Sequence, residues 1–249
     1  MKPFRYYELP PPPALACHVM SFWGFDVRLP AGASHLHHVW PDGCVSLSVA
    51  IAAGAPLGVA IIGPTTTARR VEVEGAFIYR GMRLRPEAGK AILGFSPLRL
   101  RDSMMPLDDS ALAAAVAESP VDAYTGWITP RLCARPDDAV CAAVELAIAS
   151  HGGASVAAMA DAARLGVRQL QRRFVDAVGI TPKEYARIRR VRSTLAAVLR
   201  GERSLAALAH DLGFADQAHM TRELGDVTGL TPTSLEDRLD RIDHENVTP

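Results

Sequence analysis

The chain has 249 residues, 49% of them apolar, and its 27 Lys/Arg are balanced by 27 Asp/Glu. That size and apolar content allow one or two cores, two domains being the expected count, and no apolar run approaches the roughly 20 residues that span a bilayer. Four cysteines (Cys17, Cys44, Cys133, Cys141) without a CxxC pair exclude a disulfide framework. The N-terminal MKPFRYYELPPPP lacks the basic-then-apolar layout of a secretion signal. The expectation is a soluble, cytoplasmic protein with no membrane partner.

In chain order, the first part reads as β-rich. Cys44–Ala52, Gly58–Gly63, Arg69–Glu74 and Phe77–Leu84 are short β-prone runs separated by Gly, Pro or Thr clusters, and RRVEVE alternates with period two. Strands at this spacing suggest a small barrel or sandwich. Glu87–Leu93 and Leu112–Glu118 read as helical, and Asp108-Asp109 and Asp137-Asp138 as helix-start acids. PRLCARP (Pro130–Pro136) reads as a linker, and almost everything after Asp137 as helix. The fold class is therefore α+β. A β-rich sensor or accessory domain (1–130) leads through a linker (131–136) to an all-α domain (137–239) and an acidic tail (240–249).

The α-helical part repeats itself. Ala163–Pro182 aligns without a gap on Gly213–Pro232, GITP falling on GLTP, and a short Ala/Leu-rich segment precedes each copy (Val156–Ala162 and Leu205–Leu212). Such a duplication marks two helix–turn–helix units, an arrangement suited to reading two neighbouring stretches of DNA groove. In the first copy Leu170 and Phe174 are an i,i+4 apolar anchor, and Arg168, Gln171 and Arg172 share another face. Arg can bond two acceptors on guanine, and Gln the donor and acceptor edge of adenine. In the second copy Met220 and Leu224 anchor, Gln217, Thr221 and Arg222 face outward, and Asp216 stands at the N-cap position.

Lys183–Arg200 reads as one long connecting helix with Tyr185, Ile188, Leu195 and Leu199 inside and Arg187, Arg189, Arg190 and Arg192 mostly outside. Arg173, Lys183, Arg189 and Arg190 are the candidate phosphate contacts. Between Arg164 and Arg203 stand eleven Lys/Arg against three Asp/Glu, a basic island that the zero net charge conceals; from Glu223 to Glu245 seven acids face two arginines.

These signatures, LGVRQLQRRF…VGITPKEYARIRRV and LAALAHDLGFADQAHMTREL…TGLTP, resemble the AraC/XylS family of bacterial transcription regulators over about Asp137–Leu239. The resemblance implies sequence-specific binding to double-stranded DNA, with Arg168, Gln171 and Arg172 facing bases from the first reading helix and Gln217, Thr221 and Arg222 from the second. Gly166 stands where the family has a capping Ser, Arg164 where the turn has Gly, and Leu224 where Phe is usual. Gly225 inside the second helix should cost about 1 kcal/mol relative to Ala. PDGCVSLSVA, GPTT and GMRLRPEAGKAILG resemble the uncharacterised N-terminal domain of a subset of these regulators, over roughly residues 4–120.

The N-terminal domain is expected to sense a small-molecule effector or to form a homodimer, and its sequence does not choose between these. Pro41-Asp42-Gly43 reads as a turn into a strand, and Gly81 as a close approach or bulge. Trp23, Phe22, Phe25, Trp40 and Tyr79 could line a pocket, though aromatics in a small β domain are more often plain core. Arg83 and Arg85 suit an anionic effector or an interdomain surface. His35, His37, His38 and Cys44 invite a metal reading, but no second ligand pair has a recognisable spacing, so no metal and no cofactor is assigned. Neither Cys17 nor Cys44 has a basic neighbourhood that would activate a thiol. With no GxSxG, P-loop, HExxH or paired carboxylates, the chain reads as no enzyme. The alternatives are a metal- or small-molecule-dependent enzyme or binding domain fused to a vestigial DNA module, or a scaffold whose basic island meets a protein.

Overall fold

The computed structural model describes residues 2–30, 32–202, 204–231, 234 and 242–245. Its N-terminal domain is built on a seven-stranded sheet in the order β8-β5-β4-β7-β2-β1-β9, facing a two-stranded sheet β3-β6. The strands are β1 (Phe4–Leu9), β2 (Val19–Arg28), β3 (Ser34–Val39), β4 (Ser46–Ala52), β5 (Ala55–Ile62), β6 (Arg69–Glu74), β7 (Ala76–Leu84), β8 (Met104–Leu107) and β9 (Ile242–Glu245). Period-two alternation gives the large sheet two different faces. Phe22, Met82, Leu47 and Ile61 lie in one cross-strand row. They bury against α2 (Ser110–Glu118) and α3 (Pro120–Ile128), through Leu112, Val116, Tyr124 and Ile128.

The other face carries Trp23, Phe25 and Tyr79, over which the two-stranded β3–β6 sheet closes with Val73. The Trp23 indole lies where a Cβ on Gly81 would stand, 2.2 Å from its Cε2, so the close approach expected at Gly81 is made by an aromatic ring. The five aromatics considered as one pocket therefore divide among three clusters. Phe22 joins the helix-covered core, Trp23, Phe25 and Tyr79 the face covered by the β3–β6 sheet, and Trp40 the second helix–turn–helix unit.

The helical domain comprises α4 (Asp138–Ala149), α5 (Val156–Ala162), α6 (Val167–Val178), α7 (Pro182–Leu199), α8 (Leu205–Asp211) and α9 (Gln217–Thr228). Asp109 and Asp137 are N-caps, accepting from the amides of Leu112 and of Ala139 and Val140. α7 begins with a full capping box in which Thr181 and Glu184 satisfy each other's amides, with Pro182 in the first turn. α9 runs unbroken through Gly225.

The chain between these domains stays on the β domain beyond Ile128, with Leu132 packed on its core and Ala134 O 3.3 Å from His18 Nε2, before α4 begins. A short segment (Pro86–Ala88), α1 (Gly89–Leu93) and a turn (Pro97–Leu100) carry the β domain onto α6 and α4. One correction concerns the C-terminal residues expected to form an acidic tail. Ile242–Glu245 returns to the β domain and pairs in parallel with β1, in register Phe4↔Ile242 to Tyr7↔Glu245. The outer edge of β1 offers unpaired amides and carbonyls, and four tail residues satisfy them.

Candidate nucleic-acid interface

Each helix–turn–helix unit is a short helix, a turn and a twelve-residue reading helix. The short helices open on serine caps, with Ser155 accepting from Ala158 N at 3.1 Å and Ser204 from Ala207 N at 3.3 Å. The reading helices differ at the same point. Gly166 gives α6 no side-chain cap, whereas Asp216 accepts from His219 N at 2.6 Å. The ungapped alignment also hides a one-residue shift in the turn. The left-handed residue is Arg164 (φ 53°) in the first unit and Gly213, one position earlier in the repeat frame, in the second (φ 72°).

Leu170 and Phe174 are fully buried, as is Met220, with Leu224 at 1% exposure. Helical geometry then carries Arg168, Gln171 and Arg172 to solvent on α6 and Gln217 and Arg222 on α9, with Thr221 half-buried beside them. The structure thus groups the six candidate base-reading residues three to a helix, on the faces away from the anchors.

The candidate phosphate residues separate. Lys183 is exposed in the first turn of α7. Arg173 is a fork on Asp137, with Nε 2.7 Å and Nη2 2.5 Å from its oxygens, so it ties α6 to the N-cap of α4. Burial would raise the Asp137 carboxyl, but the Arg173 hydrogen bond and the cap amides outweigh it and hold the group below its usual range. Arg189 is only 4% exposed, and burial, followed by the like charges of Arg192 and Arg83, depresses its pKa. A side chain so placed cannot meet a phosphate in this conformation; the amphipathic reading missed that two faces of α7 are covered, one by the β domain. Arg190 is 19% exposed, its guanidinium 5.0 Å from the Phe214 ring and its Nη1 3.4 Å from Gly213 O, so it too belongs largely to internal packing.

The cover on α7 is the seam between the domains. A Cβ on Gly43 would lie 2.9 Å from the Tyr185 ring, which places the Pro41-Asp42-Gly43 turn directly on the connecting helix. Arg101 Nη2 donates to Glu184 Oε1 at 2.7 Å, adding an interdomain bond to the capping box. Burial works against the Glu184 charge, yet Thr181 and Arg101 keep its pKa low. Lys90 pairs with Asp176 on α6. Farther along, Trp40 packs on Val191, Leu195 and Leu224, and Ala68 N donates to Val227 O at 2.8 Å. Tyr185 is fully buried, and burial pushes its phenol up; its hydroxyl and Arg189 Nε have no hydrogen-bond partner among the described residues.

Within the β domain, Arg83 is internal. It bonds Asp42 at 2.6 Å, Glu8 at 2.7 Å, the Tyr6 hydroxyl at 3.1 Å and Ser21 at 3.3 Å, leaving little for an effector. Arg85 bonds Glu87 at 2.6 Å, near the helical domain, which favours the interdomain reading of that residue. His35 lies tilted against Phe4 at 4.6 Å, and His37 stacks on Phe25 at 4.3 Å between ring centroids. Cys44 lies elsewhere, buried with its Sγ 3.4 Å from Asp42 O, and burial, then Asp42, raises its thiol. Among the described residues no three His, Cys, Asp or Glu side chains are grouped to hold a metal ion. None of the described helices is long and apolar enough to cross a membrane.

A helix–turn–helix domain model matches residues 159–238, and a domain of unknown function (DUF6597) matches residues 7–106. The C-terminal part is thus an AraC-type helix–turn–helix DNA-binding domain, and the chain is a DNA-binding transcription regulator. No curated protein sequence matches it. An AraC-type regulator from Chromobacterium violaceum is 20% identical over 41% of this chain and 92% of its own, with a TM-score of 0.38. ToxT from Vibrio cholerae is 11% identical over 88% of this chain and 98% of its own, with a TM-score of 0.49. ToxT bound to (E)-4-(8-methylnaphthalen-1-yl)but-3-enoic acid is 10% identical over the same shares, with a TM-score of 0.50, a likeness of fold. The regulator thus joins a β-rich domain to two helix–turn–helix units, the architecture its strands and helices display.

Proposed function

We propose that the regulator binds its operator by setting α6 and α9 in successive major grooves on one face of a duplex, roughly 34 Å apart. Arg168, Gln171 and Arg172 read bases from the first helix, and Gln217, Thr221 and Arg222 from the second. Lys183 takes a phosphate at the start of α7. The observation that carries this reading is the sorting of each reading helix into a buried anchor pair and an opposite exposed face of Arg, Gln and Thr. Arg and Gln can make bidentate bonds to guanine and adenine edges, which gives such a face the chemistry of direct readout.

The β domain acts as the controlling domain, through either a small-molecule effector or a second copy of the chain. Its support is the seam: α6 rests on the Pro86–Leu100 region and α7 on the Pro41-Asp42-Gly43 turn, so a change in the β domain can move the first reading helix. A similarly folded ToxT has been solved with an organic acid bound, a precedent for small-molecule binding in this architecture. The protein acts by binding in the cytoplasm, without turnover.

Selection from a random duplex pool with full-length protein, at two salt concentrations, tests the reading. Enrichment of two sequence blocks about one helical turn apart is expected, with affinity falling linearly in log[salt]. A pool that remains unenriched, with folded protein and candidate effectors present, would overturn it.

A further inference from the structure

The second reading helix is fastened differently from the first, by an acid where the first has a base. At the repeat position of Arg173 stands Glu223, only 6% exposed. One of its oxygens is 3.2 Å from His219 Nε2. The other is 3.5 Å from Arg190 Nη2 and 3.8 Å from Arg187 Nε, and makes no hydrogen bond among the described residues. His219 Nδ1 accepts from Ala215 N at 3.2 Å, so a neutral ring protonated on Nε2 serves both neighbours. Asp226 takes the outer end of Arg187, with Nη2 at 2.7 Å. On the helical wheel of α9, residues 219, 223 and 226 flank Arg222, on the side where a groove-seated helix meets phosphates.

We propose that Glu223 is the positioning residue that sets specificity in the second unit, by withholding Arg187 from the DNA backbone. It rests on α9 being a reading helix. A buried carboxylate that faces a guanidinium competes with phosphate for it, and an arginine so held is a phosphate contact the protein does not make on arbitrary sequence. The second unit then depends on the base contacts of Gln217, Thr221 and Arg222. Arg187, 36% exposed and held at its outer end by the exposed Asp226, is the first to be freed.

The test measures affinity over a salt series for wild type, Glu223→Gln, Asp226→Asn and the double variant Glu223→Gln/Arg187→Ala. Each is titrated with the duplex enriched by wild type and with an unrelated duplex of equal length. Each phosphate contact adds about 0.9 to the steepness of log K against log[salt]. Glu223→Gln should steepen the line by about one, bind the unrelated duplex several-fold more tightly, and narrow the discrimination between the two. Asp226→Asn, at an exposed position that cannot unfold the helix, should move the same way and stands in if Glu223→Gln fails to fold. The double variant should return to the wild-type line.

An unchanged slope, with affinity kept or lost, would make Glu223 a strut and overturn the proposal. A steeper slope that survives in the double variant would do so too, because it would report only relief of charge repulsion. A wild type with neither enriched duplex nor salt dependence would overturn the proposal together with the reading of α9.

Discussion

The two helix–turn–helix units share one twenty-residue frame and differ in what holds them. The first is built into the body of the protein. Its C-terminal end lies against Pro64, Pro97 and Leu98 of the β domain, and its core runs from Val140 on α4 through Phe174 to Ile180 and Tyr185. The second hangs from α7 by two smaller clusters and meets the β domain at Trp40 and Ala68. The β domain therefore meets the first reading helix over a broad seam and the second at Trp40 and Ala68, against Leu224 and Val227 of α9. Duplication supplied two similar readers, and the surroundings made one of them a fixed reference.

The C-cap glycines of the two reading helices offer the sharpest way to break this contrast. Gly179 and Gly229 occupy the same repeat position, both with positive φ (91° and 72°). At Gly229 a Cβ would meet nothing within 4 Å, so Gly229→Ala should cost only the left-handed strain, about 1–2 kcal/mol. At Gly179 a Cβ would lie 2.8 Å from Pro64 Cγ and from the Pro97 carbonyl carbon, backbone that cannot step aside cheaply. Gly179→Ala should add an overpacking cost of about 1–3 kcal/mol and loosen the seam. Urea unfolding with amide exchange over the Pro86–Leu100 region checks this. Equal losses in the two variants would mean that the first unit is no more embedded than the second.

Next in size come the readers themselves. Arg172→Ala and Arg222→Ala should each lose about 1–3 kcal/mol of operator binding and relax one base position, Arg172 in one block and Arg222 in the other. The check is repeated selection with each variant. A variant that keeps wild-type affinity and selectivity would remove that residue from the reading set, and relaxation in both blocks at once would deny that the units read separately.

What the sequence made legible was whatever repeats or alternates locally. The duplicated frame located both units, α5 to the residue and α6, α7 and α9 closely, because a buried i,i+4 pair such as Leu170 and Phe174 is written in the chain itself. β6 was legible because RRVEVE alternates. The long-range partnerships were not. Arg189 reads as an outward arginine on α7 until the Pro41-Asp42-Gly43 turn and Cys44 arrive from the other domain. Arg173 and Glu223 look like solvated charges until Asp137, 36 residues away, and the α7 arginines are brought beside them. Ile242–Glu245 looks like an acidic tail because a four-residue strand declares itself only by the edge it finds. The one-residue shift of the turn was invisible for a related reason: an ungapped alignment matches letters, and α8 ends one position earlier than α5 in that frame.

The smallest expected effect lies at the N-caps. Asp216 accepts an amide of α9, whereas Gly166, with no side chain, leaves the first amides of α6 to solvent. Gly166→Ser should stabilise the protein by a few tenths of a kcal/mol, because glycine is already a tolerable cap and serine adds one bond. A Cβ at Gly166 meets nothing within 4 Å and its φ is −71°, so no strain offsets the gain. Asp216→Ala should cost more, about 0.5–2 kcal/mol, since it leaves a donor unmet where one was satisfied. Thermal unfolding of the two variants beside wild type is sensitive enough to order them. If Gly166→Ser destabilises, something other than solvent occupies the start of α6. If instead both caps behave as expected, the better-capped α9 is the helix with fewer outside supports, and local capping compensates in the second unit for what the seam supplies to the first.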